Sequence, residues 1–310
     1  MKHCCIIGGT GFIGRHLVDV LLKSGRKITV IGRAAQPVES LPESVQYIQN
    51  RVNDEEWLTN VLEEVDEIVD LAYSTTPQTS FVNPVNDILS NLPGTVQLFA
   101  IASKLSIRKF IWVSSGGTVY GNVDQTPITE NFLTNPVSPY GITKLAIEKY
   151  ARMYFELAGL PIVCVRPANA YGEGQQPFRG QGFVATAIAT ILNRQSISIF
   201  GEDGTIRDYI HVADIALAIE AALDRGISGE VYNIGTGIGK TNRQVIDTIR
   251  KYANDIPIEI NTLPARKFDV ASNILDYSKL HHQTGWKPEV SFEKGIERTW
   301  EWFVKQPKFA

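Results

Sequence analysis

Tyr140 and Lys144 lie four residues apart in SPYGITK, a spacing that on a helix sets a phenol and an ammonium on one face about one turn apart. A free tyrosine titrates near ~10, too high for a base at neutral pH. A fixed positive charge close by favours the phenolate and draws that value toward working pH. The pair therefore suits proton transfer at a sugar or alcohol hydroxyl. Of the eleven tyrosines only Tyr140 has lysine at this offset, yet chance gives about even odds of one such pair. The surroundings must carry the rest.

A second group stands at the start of the chain. In IIGGTGFIG, Gly8, Gly11 and Gly14 follow an apolar run and open an amphipathic one, with Phe12 and Ile13 between them. Lack of side chains lets the turn tighten, a pyrophosphate approach the backbone, and helix pack on strand. The N–H groups at the helix start then face the phosphates. At the end of the next strand, ITVIGRA puts Gly32 and Arg33 where NAD-binding chains usually carry a carboxylate for the adenosine ribose. Its absence removes a repulsion against a 2′-phosphate, which Arg33 could pair with; Arg33 could equally face solvent. NAD(H) is the expected cofactor, and NADP(H) stays open.

These groups need a scaffold that brings residues 8–14 and 140–144 together. His3–Ile7, Lys27–Ile31, Val45–Ile48, Glu67–Leu71, Lys109–Val113 and Pro161–Val165 read as strands. Phe12–Lys23, Asp54–Glu63, Pro84–Lys104 and Pro139–Ala158 read as helices. Strands apolar on both faces and alternating with helices predict an α/β fold, a Rossmann-type doubly wound parallel sheet. Beyond Arg166 the pattern mixes. Gly180–Asn193, Val212–Asp224 and Phe292–Lys305 read as helices, Ile197–Phe200 and Glu230–Ile234 as short strands. The expected division is a dinucleotide-binding domain over 1–169 plus about 206–224, and a smaller mixed α/β substrate-binding lobe from about 170–205 and 225–310.

Composition narrows the class. With 310 residues, 44% apolar, 20% charged and a net charge of −3, the chain fits a soluble globular protein. That balance gives no electrostatic case for nucleic acid or membrane partners. Cys4, Cys5 and Cys164 sit in apolar runs without CxxC spacing and read as core thiols. No basic-then-apolar leader and no run of membrane-spanning length is found, so a cytoplasmic protein is expected. His281 and His282 lack spaced acidic or thiol partners, and no metal site is expected.

The glycine loop, SSGGTVYG, YGITK, RPANAYG and RDYIHVAD occur in that order. With them the whole chain resembles the extended short-chain dehydrogenase/reductase family, of the NAD-dependent epimerase/dehydratase type. Within it the chain looks like the nucleotide-sugar epimerases, UDP-galactose-type 4-epimerases in particular. The resemblance implies inversion of C4 of a UDP-hexose through a transient 4-keto sugar. Tyr140 would take the proton of the 4-hydroxyl while hydride leaves C4, and hydride would return to the other face. Lys144 would hold the nicotinamide ribose, Ser114 and Asn91 would line the nicotinamide side, and Leu71, Ala72 and Tyr73 would cover the pyrophosphate and ribose.

For the nucleotide sugar, the resemblance implies contacts from Asn169, Arg207 and Arg266 to the diphosphate and Asp269 near the nucleotide. Ile199 and Phe200 would close over the uracil, and Phe183 would be a further substrate contact. A guanidinium fork suits phosphate oxygens. The segments Pro84–Lys104 and Pro139–Ala158 match helices that form a four-helix dimer contact in many relatives, which implies a homodimer; either could equally pack inside the monomer. His211 reads as a structural residue anchoring the helix that follows it.

Several positions depart from the family pattern. The active-site hydroxyl normally sits where this chain has Gly116 or Gly117, so Thr118, or less favourably Ser115, must supply it. Asp70 stands where many members have His, Thr75 where a basic residue is common, and Arg51 where an acid often lies beside the adenine. Asn273 takes the position that gates room around the sugar's C2 substituent and is smaller than the Tyr of some members, which would admit an N-acetylated sugar. The 4,6-dehydratases carry Asp-Glu before VYG; Gly117-Thr118 offers no acid for water elimination. An NADPH-dependent 4-keto-sugar reductase remains the alternative, since it would use the same Tyr140 and Lys144. A non-catalytic cofactor-binding protein is the remaining reading.

Overall fold

The computed structural model describes residues 1–35, 41–49, 55–254, 256–265 and 270–307. Strands β1 His3–Ile7, β2 Lys27–Gly32, β3 Gln46–Gln49, β4 Glu67–Asp70, β5 Lys109–Val113 and β6 Ile162–Pro167 come first. Shorter ones follow: β7 Asn169–Tyr171, β8 Ile197–Phe200, β9 Ile206–His211, β10 Val231–Ile234, β11 Gly239–Thr241, β12 Ile260–Leu263 and β13 Ser272–Asn273. The helices of the first half are α1 Phe12–Lys23, α2 Glu55–Leu62, α3 Pro77–Val82, α4 Pro84–Ala102, α5 Gly116–Val119 and α6 Pro139–Ala158. Then come α7 Phe183–Leu192, α8 Val212–Arg225, α9 Asn242–Arg250, α10 Ser278–Thr284 and α11 Phe292–Val304.

Seven strands form one parallel sheet in the order β3-β2-β1-β4-β5-β6-β10. Alternate residues of each strand feed opposite cores, as the pleat requires. Cys4 and Ile6 of β1 pack with Leu17, Leu21, Ile215 and Ile219 of α1 and α8. Cys5 and Ile7 pack with Leu58, Leu98, Phe99 and Ile147 of α2, α4 and α6. The order reverses between β1 and β4, which opens a crevice at their carboxyl ends. A third core joins Ile188, Ile199, Ile246, Trp300 and Phe303, from α7, β8, α9 and α11. In this smaller lobe β9 pairs with β7, β11 and β13, while β8 pairs with β12.

One expectation is corrected here. The segment 225–310 was expected in the smaller lobe, but β10 completes the large sheet beside β6. Leu280 and Trp286, in and just after α10, are buried in the core shared with α1 and α8. Isolated short strands carry no sign of which sheet they join; Tyr232 and Ile234 are buried because β6 offers an open edge. α7 also starts later than the apolar pattern suggests, because Gly180 and Gly182 take φ of +78° and +86°. No helix among the described residues is long and apolar enough to cross a membrane.

Candidate active site

A cleft of about 1030 Å³ runs along the carboxyl ends of the large sheet and under the smaller lobe. α6 delivers the tyrosine and lysine to it. Ser138 caps the helix by accepting from the Gly141 N–H at 3.1 Å, Pro139 occupies the first turn, and the Tyr140 N–H donates to Ser80 Oγ of α3 at 3.1 Å. One turn on, Lys144 Nζ donates to the Val113 carbonyl at the end of β5 at 2.8 Å. Both side chains line the cleft.

The electrostatics differ from the spacing argument. Burial raises the Tyr140 phenol, the charge of Asp87 raises it further, and a hydrogen bond with the Ser115 hydroxyl opposes both. The Lys144 ammonium sits 5.8 Å from the centre of that ring and does not offset the burial. Burial likewise pushes Lys144 down, while Asp70, Glu148 and Asp87 hold it up. Burial thus favours the phenol over the phenolate, and a base role for Tyr140 needs that ionisation first.

Three carboxylates ring the pair without reaching the cleft themselves. Asp87 of α4 accepts from the Thr75 hydroxyl and, at 2.6 Å, from Thr143 Oγ1. Asp70, at the end of β4, accepts from the Ala72 N–H at 3.0 Å, and burial raises its carboxyl. Glu148 accepts from Ser114 Oγ at 2.5 Å and from the Arg166 fork at 2.9 and 2.5 Å. Partners 12 and 56 residues away leave no linear signal for Asp87, whereas Glu148, four residues after Lys144 on α6, had a helical-spacing signal that the sequence reading passed over.

The glycine turn shapes the other end of the cleft. A Cβ on Gly14 would lie 2.5 Å from the Gly8 carbonyl oxygen, so only glycine lets α1 close on β1. Gly8 takes φ +82°, and a Cβ there would approach the Leu71–Ala72 backbone to 3.1–3.3 Å. Gly8, Gly11, Phe12, Ile13, Gly14, Leu71, Tyr73 and Ser114 line the cleft. Ala72 and Asn91 do not; Asn91 is buried and holds the loop, accepting from the Ser74 N–H at 2.7 Å and donating to Thr75 Oγ1 at 3.2 Å. Arg33 is exposed and donates to Ser74 Oγ at 3.3 Å, away from the lining. Gly32 has a packing cause: a Cβ there would meet the Tyr47 hydroxyl at 2.6 Å.

On the substrate side, Thr118, Asn169, Phe183 and Arg207 line the cleft, joined by Ser115, Gln175 and Tyr209. Ile199 is buried in the third core, and Phe200 lies at the end of β8 beside Leu263 of β12, neither of them in the lining. Asn273 is also placed differently from its expected role. It is buried, donates to the Gly116 carbonyl at 3.0 Å, and lies outside the lining, because β13 pairs with β9 and draws it inward. Arg51, Arg266 and Asp269 lie outside the described residues. His211 caps α8 by accepting from the Ala213 N–H at 3.3 Å.

The side chains fit a bound dinucleotide and a polyol. Tyr73, Thr118 and Gln175 each place a buried polar atom at the cleft with no aligned partner among the described residues: the two hydroxyl oxygens and the Gln175 Oε1. Buried polar groups left in this way require a ligand or water.

Comparisons with known proteins agree with this geometry. The profile of the NAD dependent epimerase/dehydratase family matches residues 4–235. A UDP-glucose 4-epimerase of Mycolicibacterium smegmatis is 33% identical over 307 residues, spanning 96% of this chain and 97% of that one. The crystal structure of a UDP-glucose 4-epimerase from Thermotoga maritima with UDP-glucose superposes with a TM-score of 0.92 at 34% identity, covering 98% of this chain and 99% of that one. A Thermus thermophilus UDP-glucose 4-epimerase in complex with NAD gives 0.91 at 30%, covering 98% and 99%. The chain belongs to the NAD-dependent epimerase/dehydratase family.

Proposed function

We propose that this protein is an NAD-dependent nucleotide-sugar 4-epimerase acting on a UDP-hexose. The observation that carries the reading is one cleft holding the glycine turn, the Tyr140–Lys144 pair and Arg207, with unpartnered polar atoms between them. Bound NAD supplies the acceptor and later the donor of the hydrogen at the sugar's C4. Gly8, Gly11 and Gly14 would hold its pyrophosphate, and Lys144 and Tyr73 its nicotinamide half. Tyr140, once ionised to the phenolate, would take the proton of the 4-hydroxyl and return it once the 4-keto sugar has turned over. Ser115 and Thr118 orient the reacting oxygen, while Asn169 and Arg207 fix the diphosphate. The relative and the two solved neighbours named above are UDP-glucose 4-epimerases, which supports UDP as the nucleotide.

A homodimer completes the reading. α4 and α6 pack side by side, and their outer faces expose Ile88, Leu89, Ile142, Met153 and Leu157. The cytoplasm as its compartment is supported by three buried free thiols.

The test is direct. Purified protein, denatured, should release NAD, and the native protein should bring UDP-glucose and UDP-galactose to one ratio from either side. Tyr140→Phe should lower turnover by ~10²-fold or more with NAD still bound. Protein that comes empty and binds NADPH reversibly would instead be a reductase.

A further inference from the structure

The Tyr73 ring lies between the two catalytic side chains. Its centre is 4.0 Å from Lys144 Nζ and 4.8 Å from the centre of the Tyr140 ring, which it meets near edge-to-face at 68°. The other rings near that ammonium are farther away, Trp112 at 4.8 Å and Tyr140 at 5.8 Å. The Tyr73 hydroxyl is buried at the cleft without an aligned partner. Thr143 is close enough to act on it, but the Thr143 hydroxyl proton is committed to Asp87.

Lys144 has a demanding position. Its ammonium is buried, yet it must stay charged to hold a ribose and to favour the phenolate. The direct contacts are the Val113 carbonyl at 2.8 Å and the aromatic faces. Facing it through space are Asp70 from the end of β4, Asp87 from α4, and Glu148 and Tyr140 from its own helix. An ammonium carries three protons. The Val113 carbonyl takes one, and an aromatic face replaces lost hydration with its quadrupole, an attraction strongest when the cation is desolvated.

We propose that Tyr73 is a positioning residue for Lys144: its ring keeps the buried ammonium charged and seated on Val113, leaving a donor for the cleft. The proposal rests on Lys144 acting as assigned above. The ring, rather than the hydroxyl, does this work. Removing it should disfavour the charged form, so Lys144 would lose its proton at lower pH.

The test follows the Lys144 Cε resonance in lysine-labelled, NAD-loaded protein, assigned by its loss in Lys144→Met. In Tyr73→Leu the titration should fall by about one pH unit, and the alkaline limb of the turnover profile should move down with it. Tyr73→Phe, which keeps the ring, should titrate as the parent does. Tyr73→Met serves if the leucine variant fails to fold, as judged by thermal unfolding. A ring-less variant with an unmoved Lys144 titration would overturn the proposal, and so would a Phe variant that shifts as far as Leu. The resonance needs no turnover, so absence of epimerase activity in the parent would count against the function and leave this result standing.

Discussion

On the proposed function, Ser115 and Thr118 would divide the hydroxyl duties of the site. Ser115 contacts the Tyr140 phenol and favours its ionisation, whereas the Thr118 hydroxyl oxygen has no protein partner at the cleft. Ser115→Ala should therefore lower kcat by ~10-fold and move the acid limb of its pH profile upward. Thr118→Ala should cost ~10-fold in kcat/KM without moving that limb. Asp87 works the other way. Its charge raises Tyr140 and also supports Lys144, so Asp87→Asn lowers both proton affinities. The phenolate then forms at lower pH and the ammonium is lost at lower pH. The whole bell-shaped profile should shift acidward, a movement that steady-state kinetics across pH 5–10 would read at about half a unit or more.

At the scale of elements, the turn from β1 into α1 and the joint between the lobes are the sensitive points. In Gly14→Ala, a Cβ held 2.5 Å from the Gly8 carbonyl oxygen and 2.6 Å from Gly9 Cα must displace backbone. The variant should purify without NAD and lose roughly 2 kcal/mol, read from released cofactor and from urea unfolding. Glu173 links α11 to the start of α8. It accepts from Arg298 Nε at 2.8 Å and faces His211 Nε2 at 2.9 Å, off the line of an ideal hydrogen bond. Burial raises this carboxyl, but His211 and Arg298 outweigh it and hold it at about 2. A carboxylate depressed in the folded state adds stability above its unfolded value, and that stability is lost as pH falls through the folded one. Glu173 and Arg298 are partly exposed and solvent screening weakens the pair, so Glu173→Gln should cost roughly 1 kcal/mol at pH 7, and the gap to the parent should narrow between about pH 4.5 and 2.

For the whole molecule, the proposed homodimer rests on the exposed strip on α4 and α6. Ile88 and Leu89 are 45% and 67% exposed, Ile142 and Leu157 56% and 81%, on two helices already packed against each other. A patch of that kind on a soluble chain marks an interaction surface. Leu89→Asp should shift sedimentation from dimer to monomer, while the cleft, which Leu89 does not line, keeps its cofactor. A parent that sediments as a monomer at micromolar concentration would remove the dimer from the reading.

Much of this was legible in one dimension because it is periodic or local. The two-faced apolar strands, α1 at Phe12–Lys23, α6 at Pro139–Ala158 and the glycine turn follow from spacing and backbone sterics alone. So did the pairing of Tyr140 with Lys144, a matter of helical pitch. Only the folded chain decided what surrounds them. Asp87 on α4 and Tyr73 just after β4 reach the pair from separate elements, and burial depends on all of these at once. That is why the phenol stands higher than a neighbouring lysine suggested, why Asn273 turned inward, and why β10 joined the large sheet. Proton affinity and strand partnership are properties of three-dimensional neighbours, which no stretch of sequence contains by itself.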